Sequence, residues 1–213
     1  MTRIAQAPDA GTDVRADVLG LVLAGGKSRR LGRDKAGLLF FGGNLLANAV
    51  MLLRRVVRDV LVAGRDPGPF GLDLPWLLDD PPGQGPAGGI LTALRHTGMP
   101  CLAVSCDLPF MDEATLRRLL AVRDKRPEGT LMTTFRQEET GFVEALTSVY
   151  EAEAVSRLEE ALARDVRKLS AIFPESVRCH APYRTSDPAE ARAFFNINFP
   201  MDLQKAREME RVS

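Results

Sequence analysis

Apolar residues along this chain alternate between short unbroken runs and longer stretches at helical spacing. Val18–Leu23 is a near-continuous apolar run that stops at Ala24-Gly25-Gly26. Such runs suit a strand buried on both faces, as in parallel sheets. Apolar positions 45, 46, 49, 52, 53, 56 and 57 then follow a 3.6-residue period and predict a helix over Leu45–Val57. Arg54, Arg55 and Arg58 fall near its C-terminal end, where the helix dipole favours cations. Val60–Ala63 repeats the strand pattern. Trp76–Leu78 predicts a short third strand ending at Asp79-Asp80-Pro81-Pro82, and a helix is expected over Gly89–His96. Cys101–Ser105 predicts another buried strand, cut off by Cys106-Asp107-Leu108-Pro109, and Asp112 is placed to cap a helix through Arg123. Strand and helix in alternation imply right-handed crossovers and a largely parallel sheet.

The second half changes character. Thr130–Phe135 and Glu144–Tyr150 read as strands separated by the polar segment Arg136–Gly141. Glu151–Ala163 has amphipathic helical spacing, Val177–His180 and Phe194–Ile197 are weaker strand patterns, and Pro200–Glu210 predicts a closing helix with proline at its start. The expected organisation is one α/β domain over residues 18–213 after a flexible tail at 1–17. A nucleotide half (about 18–125) and an acceptor half (about 126–213) share that domain.

With 213 residues, 45% of them hydrophobic, the chain can bury a substantial core. Its 28 basic and 28 acidic residues cancel, which argues against nonspecific nucleic-acid binding. No apolar run approaches the ~18 residues that span a bilayer. The N-terminal stretch lacks the apolar core of a secretory signal, so the cytoplasm is the expected compartment. Cys101, Cys106 and Cys179 have neither disulfide nor zinc-site spacing; the first two read as small buried hydrophobes.

Charge becomes informative only locally. Leu23-Ala-Gly-Gly-Lys-Ser-Arg-Arg-Leu-Gly-Arg-Asp-Lys35 places Lys27, Arg29, Arg30, Arg33 and Lys35 in a glycine-rich turn directly after a buried strand, opposed by Asp34. Glycines there let the backbone approach a phosphate, and their N–H groups can form an anion-binding concavity. The spacing fits neither a Walker A loop nor the dinucleotide fingerprint: Gly26 and Gly32 enclose five residues and Arg33 follows, while Gly-x-Gly-x-x-Gly is absent.

This loop resembles the signature of the nucleotidyltransferases related to molybdenum cofactor guanylyltransferase. Gly85-Pro-Ala-Gly-Gly89, Cys106-Asp-Leu-Pro109, Glu144-Ala-Leu, Arg167-Lys168 and Asn196-Ile-Asn-Phe-Pro-Met-Asp-Leu203 stand in that family's order, so the resemblance runs from Val18 to the C-terminus. It departs at Phe199, where the family usually has threonine, and at Ala63-Gly64, where some members carry an asparagine that contacts the nucleotide. The resemblance implies a single three-layer Rossmann-like nucleotidyltransferase domain with a mostly parallel central sheet. It implies transfer of GMP from GTP to molybdopterin cofactor with release of pyrophosphate. Molybdoenzyme apoproteins or chaperones fit as further partners. Ala24-Gly25-Gly26 is similar to the guanylyl-transferring branch, whereas cytidylyl-transferring relatives carry a second alanine in place of the first glycine. A molybdopterin cytidylyltransferase and a noncatalytic cofactor-binding adaptor are the alternatives.

Asp107, after a buried strand, is expected at the carboxyl edge of the sheet, where open α/β folds bind ligands. One carboxylate with phosphate oxygens and waters is a normal Mg2+ site, and the resemblance makes Asp107 its ligand with Asn198 beside it. The expected nucleotide contacts are Leu23, Ala24, Gly25, Gly26, Lys35, Asp80 and Asp107, with Lys35 and Asp107 catalytic. Asp79-Asp80-Pro81 reads equally as a turn. Acceptor contacts are assigned to Arg30, Arg33, Arg167, Lys168, Asn196 and Asn198, although Arg167-Lys168 also reads as a basic pair at a helix end. The chain has only His96 and His180, both expected at the surface and neither in a motif. A phosphate acceptor is already ionised and needs no base.

Overall fold

A computed structural model describes residues 14–26, 31–32, 34–80 and 82–212. Its seven-stranded sheet has the order β5-β4-β1-β6-β8-β7-β9. These strands are β1 (Leu19–Leu23), β4 (Val60–Ala63), β5 (Trp76–Leu77), β6 (Cys101–Ser105), β7 (Met132–Gln137), β8 (Val143–Tyr150) and β9 (Arg178–Tyr183), and the hairpin β2 (Leu39–Phe40) and β3 (Gly43–Asn44) stands apart. Strands β5, β4, β1 and β6 run parallel, β8 alone opposes its neighbours, and β7 and β9 are parallel to each other. All five residues of β1 are buried, as its unbroken apolar run requires.

Helices α1 (Leu45–Leu53) and α3 (Glu113–Asp124) cover one face through Leu46, Val50, Leu116 and Leu119. Helices α2 (Gly85–Thr97), α4 (Val155–Ala163) and α5 (Leu169–Ile172) cover the other through Ile90, Leu94, Leu158 and Ile172. The result is the expected three-layer α/β domain. Asp112 caps α3 by accepting the Thr115 N–H at 2.7 Å. Beyond β9 lie α6 (Pro188–Ala193) and α7 (Pro200–Arg211).

Several boundaries differ from the sequence reading. The α1 pattern ends in turns after Leu53, and Val56 and Val57 are buried from those turns instead. Helix α2 starts at Gly85 rather than Gly89, since Pro86 sits in the first turn, where a missing N–H costs nothing. Phe194–Ile197 is not a strand. Asp187 caps α6 on the N–H groups of Ala189 and Glu190, and that helix leads directly into the apolar stretch. Phe194 then stacks on Phe135 and Tyr183, at ring distances of 4.9 and 4.1 Å, while Ile197 is fully buried elsewhere. Its apolarity serves packing between elements, not sheet pairing. His180 is half-buried on the edge strand β9 beside Glu175, at 2.8 Å, rather than at the surface, whereas His96 is exposed.

A third apolar cluster fixes the site from behind. Leu31, Leu38, Phe40, Phe110, Ile197 and Ala206 pack together, joining the end of the glycine-rich loop, the segment after Asp107 and the C-terminal motif. Ahead of β1, the Arg15 N–H donates to the Val56 carbonyl at 3.0 Å, its carbonyl accepts from the Arg58 N–H at 2.8 Å, and its guanidinium reaches Asp17 and Asp124. Residues 1–13 of the expected tail lie outside the described residues. No helix among the described residues is long and apolar enough to cross a membrane.

Candidate active site

The register of the parallel strands places Leu23 opposite both Ala63 and Ser105. Three strands therefore end at one edge, with β4 on one side of β1 and β6 on the other. The chain crosses from β1 to β4 on one side and returns from β5 to β6 on the other, and such a reversal is where open α/β sheets form their ligand crevice. A cleft at this point is lined by Leu23, Ala24, Gly25, Gly26, Asp34, Lys35, Ala36, Arg65, Ser105, Cys106 and Asp107. Gly26 has a φ of 115°, in the region that favours glycine.

Lys35 is the hub. A short 3-10 turn over Lys35–Gly37 carries it, capped by Asp34, whose carboxylate accepts the Ala36 N–H at 3.1 Å. Its ammonium donates to Asp107 Oδ2 at 3.2 Å and to Asn198 Oδ1 at 2.6 Å, joining positions 163 apart in sequence. The Lys35 and Asp107 side chains retain only 16% and 17% exposure, so these contacts are screened less than surface pairs. Ser105 donates its hydroxyl to Asp107 Oδ1 at 2.6 Å, so both carboxylate oxygens have partners. Asn198 in turn donates to Asn196 Oδ1 at 2.9 Å. The two asparagines share a face although no strand aligns them.

The C-terminal motif is held by backbone contacts. Ile197 N–H donates to the Asp107 carbonyl at 3.0 Å, and the N–H groups of Asn198 and Phe199 donate to Asp202 at 2.9 and 2.8 Å. Phe199 occupies the N-cap of α7 without a side-chain oxygen to accept a hydrogen bond; Asp202 nevertheless satisfies the N–H groups that fix Asn198. The departure from the family threonine thus leaves Asn198 anchored.

Burial pushes the Cys106 thiol up to about 12, so this cleft residue is a neutral thiol near pH 7 and not a nucleophile. The two adjacent acids after β5 differ in burial. Asp80 is exposed. Asp79 is half-buried, its carboxyl raised above the usual range by burial, and it packs beside Gly88 and Gly89 in the first turns of α2, where a Cβ would come within 3.4 Å of it, an ordinary contact. A Cβ on Gly89 would also lie 3.7 Å from Leu23 Cδ2, so Asp79 borders the same edge.

Not every candidate converges. Arg30 and Arg33 lie outside the described residues. Arg167 pairs with Asp165 at 2.7 Å and donates to the Gly83 carbonyl at 3.3 Å, which ties it to the loop before α2 and not to the Lys35 cluster. Lys168 is the N-cap residue of α5, so the pair does not end a helix in the sense that would favour cations. Arg65, Ser105, Asp34 and Asp79 were not singled out from sequence. Their one legible signal was position, each standing at or just beyond a strand end or beside Lys35.

For a divalent cation, the donor set is one carboxylate and one amide carbonyl, both already facing a positive charge, the Lys35 ammonium. Among the described residues no cluster of three or more His, Cys, Asp or Glu could enclose a metal. Asp107 and Asn198 could supply one or two oxygen ligands to a hard divalent cation that keeps waters and phosphate oxygens for the rest of its shell.

Comparison with known proteins gives the family. A molybdenum cofactor guanylyltransferase of Rhodobacter capsulatus is 31% identical over 201 residues, covering 91% of this chain and 97% of the relative. One from Mesorhizobium japonicum is 30% identical over 206 residues, covering 92% and 97%. The crystal structure of molybdopterin-guanine dinucleotide biosynthesis protein A from Archaeoglobus fulgidus superposes with a TM-score of 0.75 at 25% identity, covering 92% of this chain and all of that one. The profile of the MobA-like NTP transferase domain matches residues 20–179. With its glycine loop, Asp107 and C-terminal asparagines gathered at one sheet edge, the chain belongs to the MobA-like NTP transferase family.

Proposed function

We propose that this protein transfers GMP from GTP to the terminal phosphate of molybdopterin cofactor, forming molybdopterin guanine dinucleotide cofactor and releasing pyrophosphate. The observation that carries the reading is the meeting of Lys35, Asp107 and Asn198 beside the Leu23–Gly26 turn, in a chain 31% identical to a molybdenum cofactor guanylyltransferase. The loop end holds the triphosphate through backbone N–H groups. Asp79, in preference to Asp80, faces the nucleotide from the segment after β5, beside the first turns of α2. Asn196 and Asn198 stand on the acceptor side.

An acceptor phosphate oxygen attacks the α-phosphorus of GTP, and the bond from that phosphorus to the β-bridging oxygen breaks. Pyrophosphate leaves with the electron pair. The acceptor oxygen is ionised near neutral pH, so the site needs no general base; His96 lies exposed on α2 and His180 on the far edge of the sheet. Rate enhancement then rests on alignment and on fixed charge near the phosphates. Lys35 supplies that charge, and Ser105 orients the Asp107 carboxylate. Asp107 and Asn198 would hold Mg2+, which when bound neutralises phosphate oxygens.

The reading is tested by isotope transfer. Label in the α-phosphate of GTP should appear on the molybdopterin product, and label in the γ-phosphate should leave in pyrophosphate. Release of free GMP, or no transfer to the acceptor, would count against it.

A further inference from the structure

We infer that Arg65 is a positioning residue that clasps the two ends of the phosphate loop and sets Lys35 through Asp34. This inference rests on the nucleotidyl-transfer reading above for its kinetic consequence, but not for its structural one. The guanidinium Nε donates to the Ala24 carbonyl at 2.6 Å, on the loop's entry side. Its Nη1 pairs with Asp34 Oδ2 at 2.5 Å, on the exit side, and Nη2 lies 3.5 Å from the Gly26 carbonyl. One planar fork therefore bridges positions 24 and 34. The face of the guanidinium lies over the Phe70 ring, 5.3 Å from its centre. The side chain keeps only 19% exposure. A fork that is planar and multiply hydrogen-bonded loses little further freedom per bond, which suits it to holding a geometry.

The backbone places Arg65 there by close approach. Gly64, at the exit of β4, has a φ of 97°, and a Cβ on it would lie 2.6 Å from Gly25 Cα and 2.7 Å from Gly25 N. Only glycine lets the β4 exit lie directly on the loop. The Gly64 N–H is anchored on the Leu77 carbonyl at 2.8 Å. Asp34 completes the relay, because the carboxylate that Arg65 holds also caps the turn carrying Lys35. Arg65 thus acts on the Lys35 ammonium from a distance, and Ala63-Gly64 contributes backbone approach where other members place a side chain.

The test compares Arg65→Gln, Arg65→Lys, Asp34→Asn and the Arg65→Gln/Asp34→Asn double variant. In ligand-free protein, amide NMR spectra of Arg65→Gln should show shifts at Gly25, Lys35 and Ala36. Asp34→Asn, an exposed and conservative change, should shift Lys35, Ala36 and the Arg65 Nε–H signal. Shifts confined to residues 63–67 in Arg65→Gln would overturn the clasp whatever the enzyme's activity. In pyrophosphate release, displacement of Lys35 by the order of an ångström should lower kcat/KM about 100-fold. Arg65→Lys, which keeps the charge and loses the fork, should be no better than Arg65→Gln, and the double variant no worse than the poorer single one. Rescue by Arg65→Lys, with Asp34→Asn at wild-type rate, would make Arg65 a direct phosphate contact and refute the relay. If the wild-type enzyme released no pyrophosphate, the functional reading would fall, and the NMR comparison would still decide the clasp.

Discussion

Replacing Lys35 by alanine separates what this residue does for the fold from what it does for the reaction. Among the described residues its ammonium makes charge-assisted hydrogen bonds to Asp107 at 3.2 Å and Asn198 at 2.6 Å, with both charged side chains under one-fifth exposed. Bonds of that class contribute about 1.5–3 kcal/mol each. Desolvation of the ammonium offsets much of this, and Asp107 keeps its Ser105 bond after the substitution. The net loss of stability should therefore be about 1–2 kcal/mol, which for a chain of this length lowers Tm by roughly 2–8 °C. In the transition state the same ammonium meets charge that develops on the phosphates, and removing one preorganised donor costs about 100- to 1000-fold in kcat. Initial rates of pyrophosphate release at saturating GTP and acceptor, measured beside a thermal melt, give both numbers. A folded Lys35→Ala protein with kcat within threefold of wild type would remove Lys35 from the mechanism.

Three further outcomes follow from the same contacts. Asp107→Asn keeps the shape and the Ser105 partner but loses the charge, so magnesium titrations of activity should flatten; an unchanged titration would exclude Asp107 as the metal ligand. Ile197→Ala empties a fully buried site between the two asparagines, at about 2–5 kcal/mol in urea unfolding, and should also lower kcat because the buried side chain seats the backbone whose N–H donates to the Asp107 carbonyl; a full stability loss with unchanged kcat would show that Asn196 and Asn198 need no anchoring. Burial holds the His180 imidazole below its usual value of 6.5, against the opposing pull of Glu175. The unfolded chain then binds the proton first as pH falls through 6.5, so His180 makes stability decline on acidification. His180→Gln should make urea midpoints less steep between pH 7 and pH 5, and an identical slope would contradict that sign.

What the sequence made legible follows from burial. Strands β1, β4 and β6 are enclosed on both faces, so each reads as an apolar run and its end marks the ligand edge. That logic put Leu23 and Asp107 at the sheet edge, while Lys35 was assigned from the charge of its loop and the family resemblance. It failed where a residue's side depends on the partner it meets. With β5 only two residues long, nothing in Asp79-Asp80 says which acid turns toward Gly88 and Gly89. Gly85-Pro-Ala-Gly-Gly89 reads as loop by propensity, yet the first turn of a helix tolerates proline, and a Cβ on Gly88 would lie 2.5 Å from Gln84 Cβ. Phe194–Ile197 is apolar because two separate cores need it, a demand that periodicity cannot distinguish from a strand. Arg65 was hidden because its role depends on Gly64 touching Gly25 across the sheet edge, a contact between positions far apart in sequence.

Selective guanylyl transfer is tested most directly by pyrophosphate release with molybdopterin cofactor and magnesium, using GTP, CTP, ATP and UTP in turn. Release should depend on the acceptor and strongly prefer GTP. Preference for CTP would make the protein a cytidylyltransferase for the same acceptor, and nucleotide binding without release from any of the four would contradict catalysis and leave a cofactor-binding adaptor.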